Sequence, residues 1–137
     1  MLSRLVLAYL AAGLCLCLLD LLWLGVIARS WYRAQFGDLL LESPRMGAAA
    51  AFYAVYLVGL VLFGVWPALK AGSWSQAALW GGLFGFFAYY TYDMTNLATL
   101  KGFPGGMVAG DVAWGTAVSA LAATAGYAAA ARWGAST

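Results

Sequence analysis

The sequence has no histidine and very little charge. It contains 7 Lys or Arg and 5 Asp or Glu among 137 residues, so 9% of the chain is charged. A soluble domain carries about 25%. The absence of histidine excludes histidine-based catalysis and histidine metal ligation. The low charge excludes a soluble enzyme, a disordered segment and a nucleic-acid partner, because a nucleic-acid-binding surface needs many more Lys and Arg.

Cysteine is also scarce, and the two cysteines lie together in one apolar run. On a helix, Cys15 and Cys17 point in different directions and cannot form an ordinary disulfide with each other. We interpret both as small apolar helix residues. The run follows a basic start but is too long for a signal peptide and lacks a small-x-small cleavage site before Arg29, so we expect it to be retained as a helix.

Hydrophobic residues make up 65% of the chain and form four long runs. A helix needs about 20 apolar residues to cross a bilayer. The connections between the runs are short, and Pro67 is expected to end the second. The sequence therefore predicts a single all-α transmembrane domain over residues 1–137, a four-helix bundle with up-down-up-down order. The predicted spans cover residues 5–28, 46–66, 77–100 and 107–131.

Of the three predicted connections, only the one between the first two spans has an informative residue pattern. Aromatic and polar residues alternate over residues 30–44, which predicts a short helix lying in the membrane interface. We interpret this segment as an anchor. Four basic residues flank the first and third connections and three flank the other side, which favours a cytoplasmic position for the first and third connections.

Three of the five acidic residues lie inside predicted spans. A charge at the centre of a membrane helix costs about 2.5–3.5 kcal/mol on insertion scales, so each must be compensated. Asp20 lies nine residues before Arg29, and Asp93 lies eight residues before Lys101. Asp111 follows the third connection closely. Antiparallel threading then predicts one polar layer, in the membrane half that faces the first and third connections.

Aromatic and polar residues accompany this layer. Tyr53 and Tyr56 of the second run lie at a similar depth, and an Asp-x-x-Trp pattern occurs twice. An indole offers one N–H donor and a broad face, which suits a cationic ligand or the head of an amphiphile. The candidate ligand- or proton-binding residues are Asp20, Asp93, Asp111, Asn96, Trp23, Trp114, Tyr53 and Tyr89.

Other interpretations of the acids stay open. The three acids can be structural links between helices. Asp111 lies near a predicted helix N-terminus, where the helix dipole favours an anion, and Asp93 can pair with Lys101 or with tyrosines. A divalent metal on Asp20, Asp93 and Asp111 is a further alternative, because Mg²⁺, Ca²⁺ and Mn²⁺ prefer oxygen ligands. No helix shows a metal-type spacing by itself, and the sequence names no cofactor.

Small residues predict close helix packing. Small-xxx-small patterns occur at Gly81–Gly85 and Gly106–Gly110, and residues 115–131 are mostly Ala, Gly, Ser and Thr. We favour packing within the chain over a contact with a second copy or with a larger membrane complex.

Several motifs resemble those of a known family, the domain of unknown function 2177. The resemblance covers nearly the whole chain, and its most specific part is the Thr-Tyr-Asp-x-Thr-Asn-x-Ala-Thr run. It implies a small bacterial inner-membrane protein of about four spans with no assigned activity. The motifs are Asp20-Leu-Leu-Trp23-Leu-Gly25, Phe52-Tyr53, Trp66-Pro67-Ala68, Thr91-Tyr-Asp-Met-Thr-Asn96-Leu-Ala-Thr-Leu-Lys101 and Asp111-Val-Ala-Trp114-Gly115-Thr116, together with Pro44.

Three functional hypotheses follow. The first is a protein that binds or translocates a proton, a cation or a small amphiphilic ligand. The second is an accessory subunit of a homo-oligomer or larger membrane complex. The third is a lipid-modifying enzyme with a carboxylate as general acid or base. The enzyme hypothesis ranks last, because the sequence has no nucleophile–base pair and no cofactor motif.

Overall fold

The computed structural model describes residues 1–134, which are helical with short connections and contain no strand. Two short segments, Gly37–Leu39 and Gly105–Met107, are 3₁₀ turns. The helices are α1 (Leu2–Leu22), α2 (Arg29–Phe36), α3 (Met46–Leu60), α4 (Trp66–Ala71), α5 (Trp74–Thr99) and α6 (Val108–Trp133).

Two wide π-helical turns extend the first and third helices. One, Trp23–Ile27, continues α1, and the other, Val61–Val65, joins α3 to α4. The prediction that the second helix ends at Pro67 is wrong, because the helix continues to Ala71. A proline lacks an N–H and crowds the preceding turn of a regular α-helix, and the wide turn just before Pro67 accommodates both effects.

Three helices of the described chain are long and apolar enough to cross a membrane. They are Leu2–Ile27, Met46–Ala71 and Gly105–Trp133. The predicted span over residues 77–100 is not among them, although α5 forms there and is 26 residues long. Its tyrosines, threonines, glycines and Asp93 make α5 less apolar than the other long helices.

Glycines allow α5 and α6 to pack very closely. A Cβ at Gly81 would overlap the side chain of Ala123, and a Cβ at Gly85 would overlap Ser119 and the carbonyl of Gly115. The prediction of packing within the chain is therefore confirmed for Gly81 and Gly85. On the opposite flank of α6, a Cβ at Gly126 would lie 2.9 Å from the carbonyl oxygen of Ala8.

The second small-residue pattern contacts the connecting helix α2 instead. A Cβ at Gly110 would lie 2.7 Å from the Trp31 ring, and one at Gly106 would lie 2.9 Å from Gln35 Oε1. These glycines let α2 lie directly against the start of α6. The connection between α1 and α3 thus folds back onto the start of α6, a helix that it does not join.

Each of the aspartates at 20, 93 and 111 continues a row of buried residues on its helix. In α1 the row is Ala8, Ala12, Leu16 and Asp20, spaced by four residues. Residues four apart lie on one helix face. In α5 and α6 the buried rows likewise include Asp93 and Asp111. The carboxyl groups therefore point toward neighbouring helices and away from lipid.

Candidate functional site

Asp20 is held by donors from two other helices. Tyr53 Oη donates to Asp20 Oδ2 at 2.6 Å, and Trp114 Nε1 donates to Asp20 Oδ1 at 2.9 Å. Only 4% of Asp20 is exposed. Hydrogen bonds to a carboxylate are among the stronger ones in proteins, so these two donors hold both oxygens in place, and neither donor carries a positive charge.

Asp111 is held by the connecting helix. Tyr32 Oη donates to Asp111 Oδ1 at 2.6 Å and accepts a bond from Trp23 Nε1 at 3.1 Å. Burial of Tyr32 in α2, together with its bond to Asp111, raises the pKa of the phenol well above its usual range. The phenol therefore stays protonated and keeps donating. Asp111 also lies in the first turn of α6, where the helix dipole favours an anion.

The tryptophan of each Asp-x-x-Trp pattern is linked by hydrogen bonds to the carboxylate of the other pattern. The rings of Trp23 and Trp114 stack with centroids 4.5 Å apart and planes 6° apart. Trp114, which follows Asp111 in sequence, donates to Asp20. Trp23, which follows Asp20, reaches Asp111 through Tyr32. The stacked indoles therefore link the two acidic groups into one network.

Asp93 differs from the other two acids. Its exposure is 0%, and within the described residues neither carboxylate oxygen accepts a hydrogen bond from a donor group. The neighbouring polar group is the carboxyl of Asp111. The expected partners of Asp93, either Lys101 or tyrosine hydroxyls, therefore do not hydrogen-bond to its carboxylate.

Two cavities adjoin these groups. The acid cavity, about 430 Å³, has a mainly aromatic lining that includes Asp20, Tyr53, Tyr89, Tyr92, Asp111 and Trp114. The interfacial cavity, also about 430 Å³, lies beside α2, and its lining includes Tyr32, Phe36, Tyr92, Asn96, Phe103 and Asp111. Tyr92 and Asp111 line both cavities, so they form the boundary between them.

Most of the predicted site residues come together, although not all in one cavity. Asp20, Asp111, Tyr53, Tyr89 and Trp114 line the acid cavity. Trp23 stacks behind Trp114, and Tyr89 lies over Gly115. Asn96 lines the interfacial cavity instead, and Asp93 is enclosed beside Asp111.

Sequence reasoning missed two polar contacts. Tyr32 was assigned to an interfacial anchor, but it is 9% exposed and hydrogen-bonds to Asp111, so α2 does more than anchor. The aromatic pattern of α2 was the available signal. Ser119, hidden in a small-residue run, lies 2.6 Å from Tyr56 Oη, and either hydroxyl can donate.

The arrangement does not favour the metal alternative. Among residues 1–134, no group of three or more His, Cys, Asp and Glu side chains is placed to hold a metal ion. Asp20 is occupied by two hydrogen-bond donors, and Asp93 does not line either cavity.

Fold and composition define an all-helical membrane protein that contacts lipid and carries acidic residues between its helices. The family profile of DUF2177, described as "predicted membrane protein", matches residues 5–128. The chain therefore belongs to this family. No curated protein and no solved structure matches it.

Proposed function

We propose that this chain is a multi-pass protein of the bacterial inner membrane that binds a small amphiphile with a cationic head group in the acid cavity. The observation that carries the proposal is the pair of carboxylates, Asp20 and Asp111, on one largely aromatic cavity. Its volume of about 430 Å³ falls within the range of about 300–1,000 Å³ that is usual for small-molecule sites.

The proposal includes α5 as a fourth span, in an up-down-up-down bundle. At 26 residues, α5 is long enough to cross the hydrocarbon core. The contacts of Gly81 with Ala123 and of Tyr89 with Gly115 agree with antiparallel neighbours. The residues that α5 buries against the rest of the protein are Ala77, Gly81, Gly82, Gly85 and Asp93, so its one acidic residue faces other helices, which is compatible with a spanning position.

The electrostatics of the cavity favour a cation. Tyr53 and Trp114 orient Asp20, and because both donors are neutral they supply no positive charge of their own, which a cationic head group would bring. Aromatic rings attract a cation over their faces by about 0.5–2 kcal/mol, and quaternary ammonium groups are often bound this way. The head group would then lie near Asp20 and Asp111, while apolar lining residues such as Leu24 and Phe52 contact its chain.

The test measures equilibrium binding of dodecyltrimethylammonium to the protein in lipid nanodiscs. Asp20→Asn removes the charge and keeps the shape, so we expect affinity to fall at least about tenfold, equivalent to about 1.4 kcal/mol. The matched control is Asp38→Asn, at an exposed position outside both cavities. An uncharged amphiphile with the same chain should bind weakly to every variant.

The result that contradicts the proposal is equal binding of the charged and uncharged amphiphiles, or unchanged affinity in Asp20→Asn. Either result would assign Asp20 to a structural role. The accessory-subunit and lipid-enzyme hypotheses stay hypotheses. Native mass spectrometry and lipid profiles of cells with and without the gene address them separately.

A further inference from the structure

The contacts between α5 and α6 follow a constant register. Gly81 faces Ala123, Gly85 faces Ser119, and Tyr89 lies over Gly115. Each four-residue step forward along α5 thus corresponds to a four-residue step back along α6. The next step in this register brings Asp93 opposite Asp111, so the two carboxyl groups are neighbours across the interface.

Only one of the two carboxyl groups in this pair accepts a hydrogen bond from another side chain. Asp111 accepts a bond from Tyr32, but both oxygens of the fully buried Asp93 lack a donor. Buried polar groups normally have partners, and two like charges at contact distance in a membrane interior repel strongly. A single proton held between the carboxyl groups resolves both problems, because the protonated acid donates to the ionised one.

We propose that Asp93 and Asp111 form a proton-binding site in which one carboxylic acid donates a hydrogen bond to the other carboxylate. Asp93 lines neither cavity, whereas Asp111 lines both. The proton therefore enters and leaves through Asp111. The pair carries one negative charge when it holds the proton and two when the proton is lost.

The surrounding groups do not supply a competing positive charge. Within residues 1–134, the titratable groups that face the pair are carboxyls and phenols, which cannot carry a positive charge. They are Asp20 from α1, Tyr32 from α2, and Tyr89 and Tyr92 from α5, with Tyr53 and Tyr56 of α3 farther away beside Asp20. A proton is the counter-charge small enough for this enclosed position.

Loss of the proton from this site is coupled to the binding of the cationic ligand. This step rests on the proposed function. A cationic head group beside Asp111 favours the doubly ionised pair, so its arrival releases the proton from the carboxylic acid. The proton passes to water through the interfacial cavity. One positive charge enters and one leaves, and no other bond changes.

The site itself is tested without any ligand, by infrared spectroscopy of the protein in nanodiscs at neutral pH. The wild type should show the absorption of one protonated carboxyl group. Asp93→Asn and Asp111→Asn should each abolish it, since either leaves a single carboxylate facing an amide. Asp38→Asn should retain it. Absence of the band in the wild type, or its persistence in Asp93→Asn, would overturn the proposal.

Exchange is tested by calorimetry with dodecyltrimethylammonium in buffers of different ionisation enthalpy. We expect up to one proton released per ligand bound to the wild type and none for Asp93→Asn, whose amide can still donate to Asp111. Ligand binding without proton release overturns the exchange step. Failure of all ligand binding overturns the proposed function but leaves the infrared result on the pair intact.

Discussion

The interface between α5 and α6 has two halves built on one register. In the small-residue half, Gly81 and Gly85 contact Ala123 and Ser119 with no space for a Cβ. In the acid half, Asp93 and Asp111 meet beside two cavities. Both halves belong to the same two helices, yet one half is tightly packed and the other is polar and adjoins open space.

The difference shows how a small membrane protein can position buried acids. Without a hydrophobic driving force between helices in lipid, close packing of small residues supplies much of the association. That packing fixes the rotation and offset of α5 against α6. The position of the carboxyl pair is then set by this packing, and the acids themselves need not supply the association.

The largest effect is expected when a larger side chain is placed in the small-residue half of the interface. Gly85→Val would place side-chain atoms against Ser119 and the Gly115 carbonyl, so we expect a loss of about 3 kcal/mol or more in the free energy of unfolding. Thermal unfolding in mild detergent, followed by circular dichroism, measures it. The control is Gly82→Ala, whose Cβ would lie 3.5 Å from Ala120 Cβ.

The second prediction removes the link between the acid half and α2. Tyr32→Phe deletes the donor to Asp111 and the acceptor of Trp23, so stability should fall by about 2–3 kcal/mol. Tyr90→Phe is the control, since Tyr90 packs on Phe86 and has no side-chain hydrogen bond among the described residues. Similar melting temperatures for the two variants would show that Tyr32 is only an anchor.

The third prediction tests the acid half through the pH dependence of the free energy of unfolding. If the acid pair holds a proton that the unfolded chain has lost, the folded state binds more protons, and stability falls as pH rises. The slope reaches at most about 1.4 kcal/mol per pH unit for one proton. Asp93→Asn should flatten it between about pH 4, where a carboxyl of the unfolded chain loses its proton, and neutral pH, where the folded pair still holds one, and Asp38→Asn should not. Identical slopes in all three proteins would contradict the shared proton.

The proximity of Asp20 and Asp111 could be predicted because relative height along neighbouring helices depends on little more than helix rise. Short connections fix where each helix starts, and Asp20 and Asp111 do line one cavity. The same counting cannot give helix rotation or register. It therefore missed the crossed pairing of Trp23 and Trp114, and it did not distinguish the enclosed Asp93 from the other acids.

Two other differences between the sequence-based predictions and the structure have local physical causes. Pro67 is a helix breaker in an ordinary α-helix, and nothing in the sequence signals the wide turn that precedes it. The segment of α2 is amphipathic, and such a helix can lie on a membrane surface or fold back onto the protein. The glycines at 106 and 110 permit the second outcome, but they do so only once α6 is in place.

The smallest expected effect concerns the stacked indoles. Trp114→Phe retains an aromatic ring against Trp23 but removes the donor to Asp20 Oδ1. Because Tyr53 still donates to Asp20, and Asp20 lines a cavity that water can enter, the loss of stability should be only about 1 kcal/mol. The exposed Trp74→Phe is the control. A loss as large as that of Gly85→Val would mean that the indole pair, rather than the small-residue half, holds the helices in register.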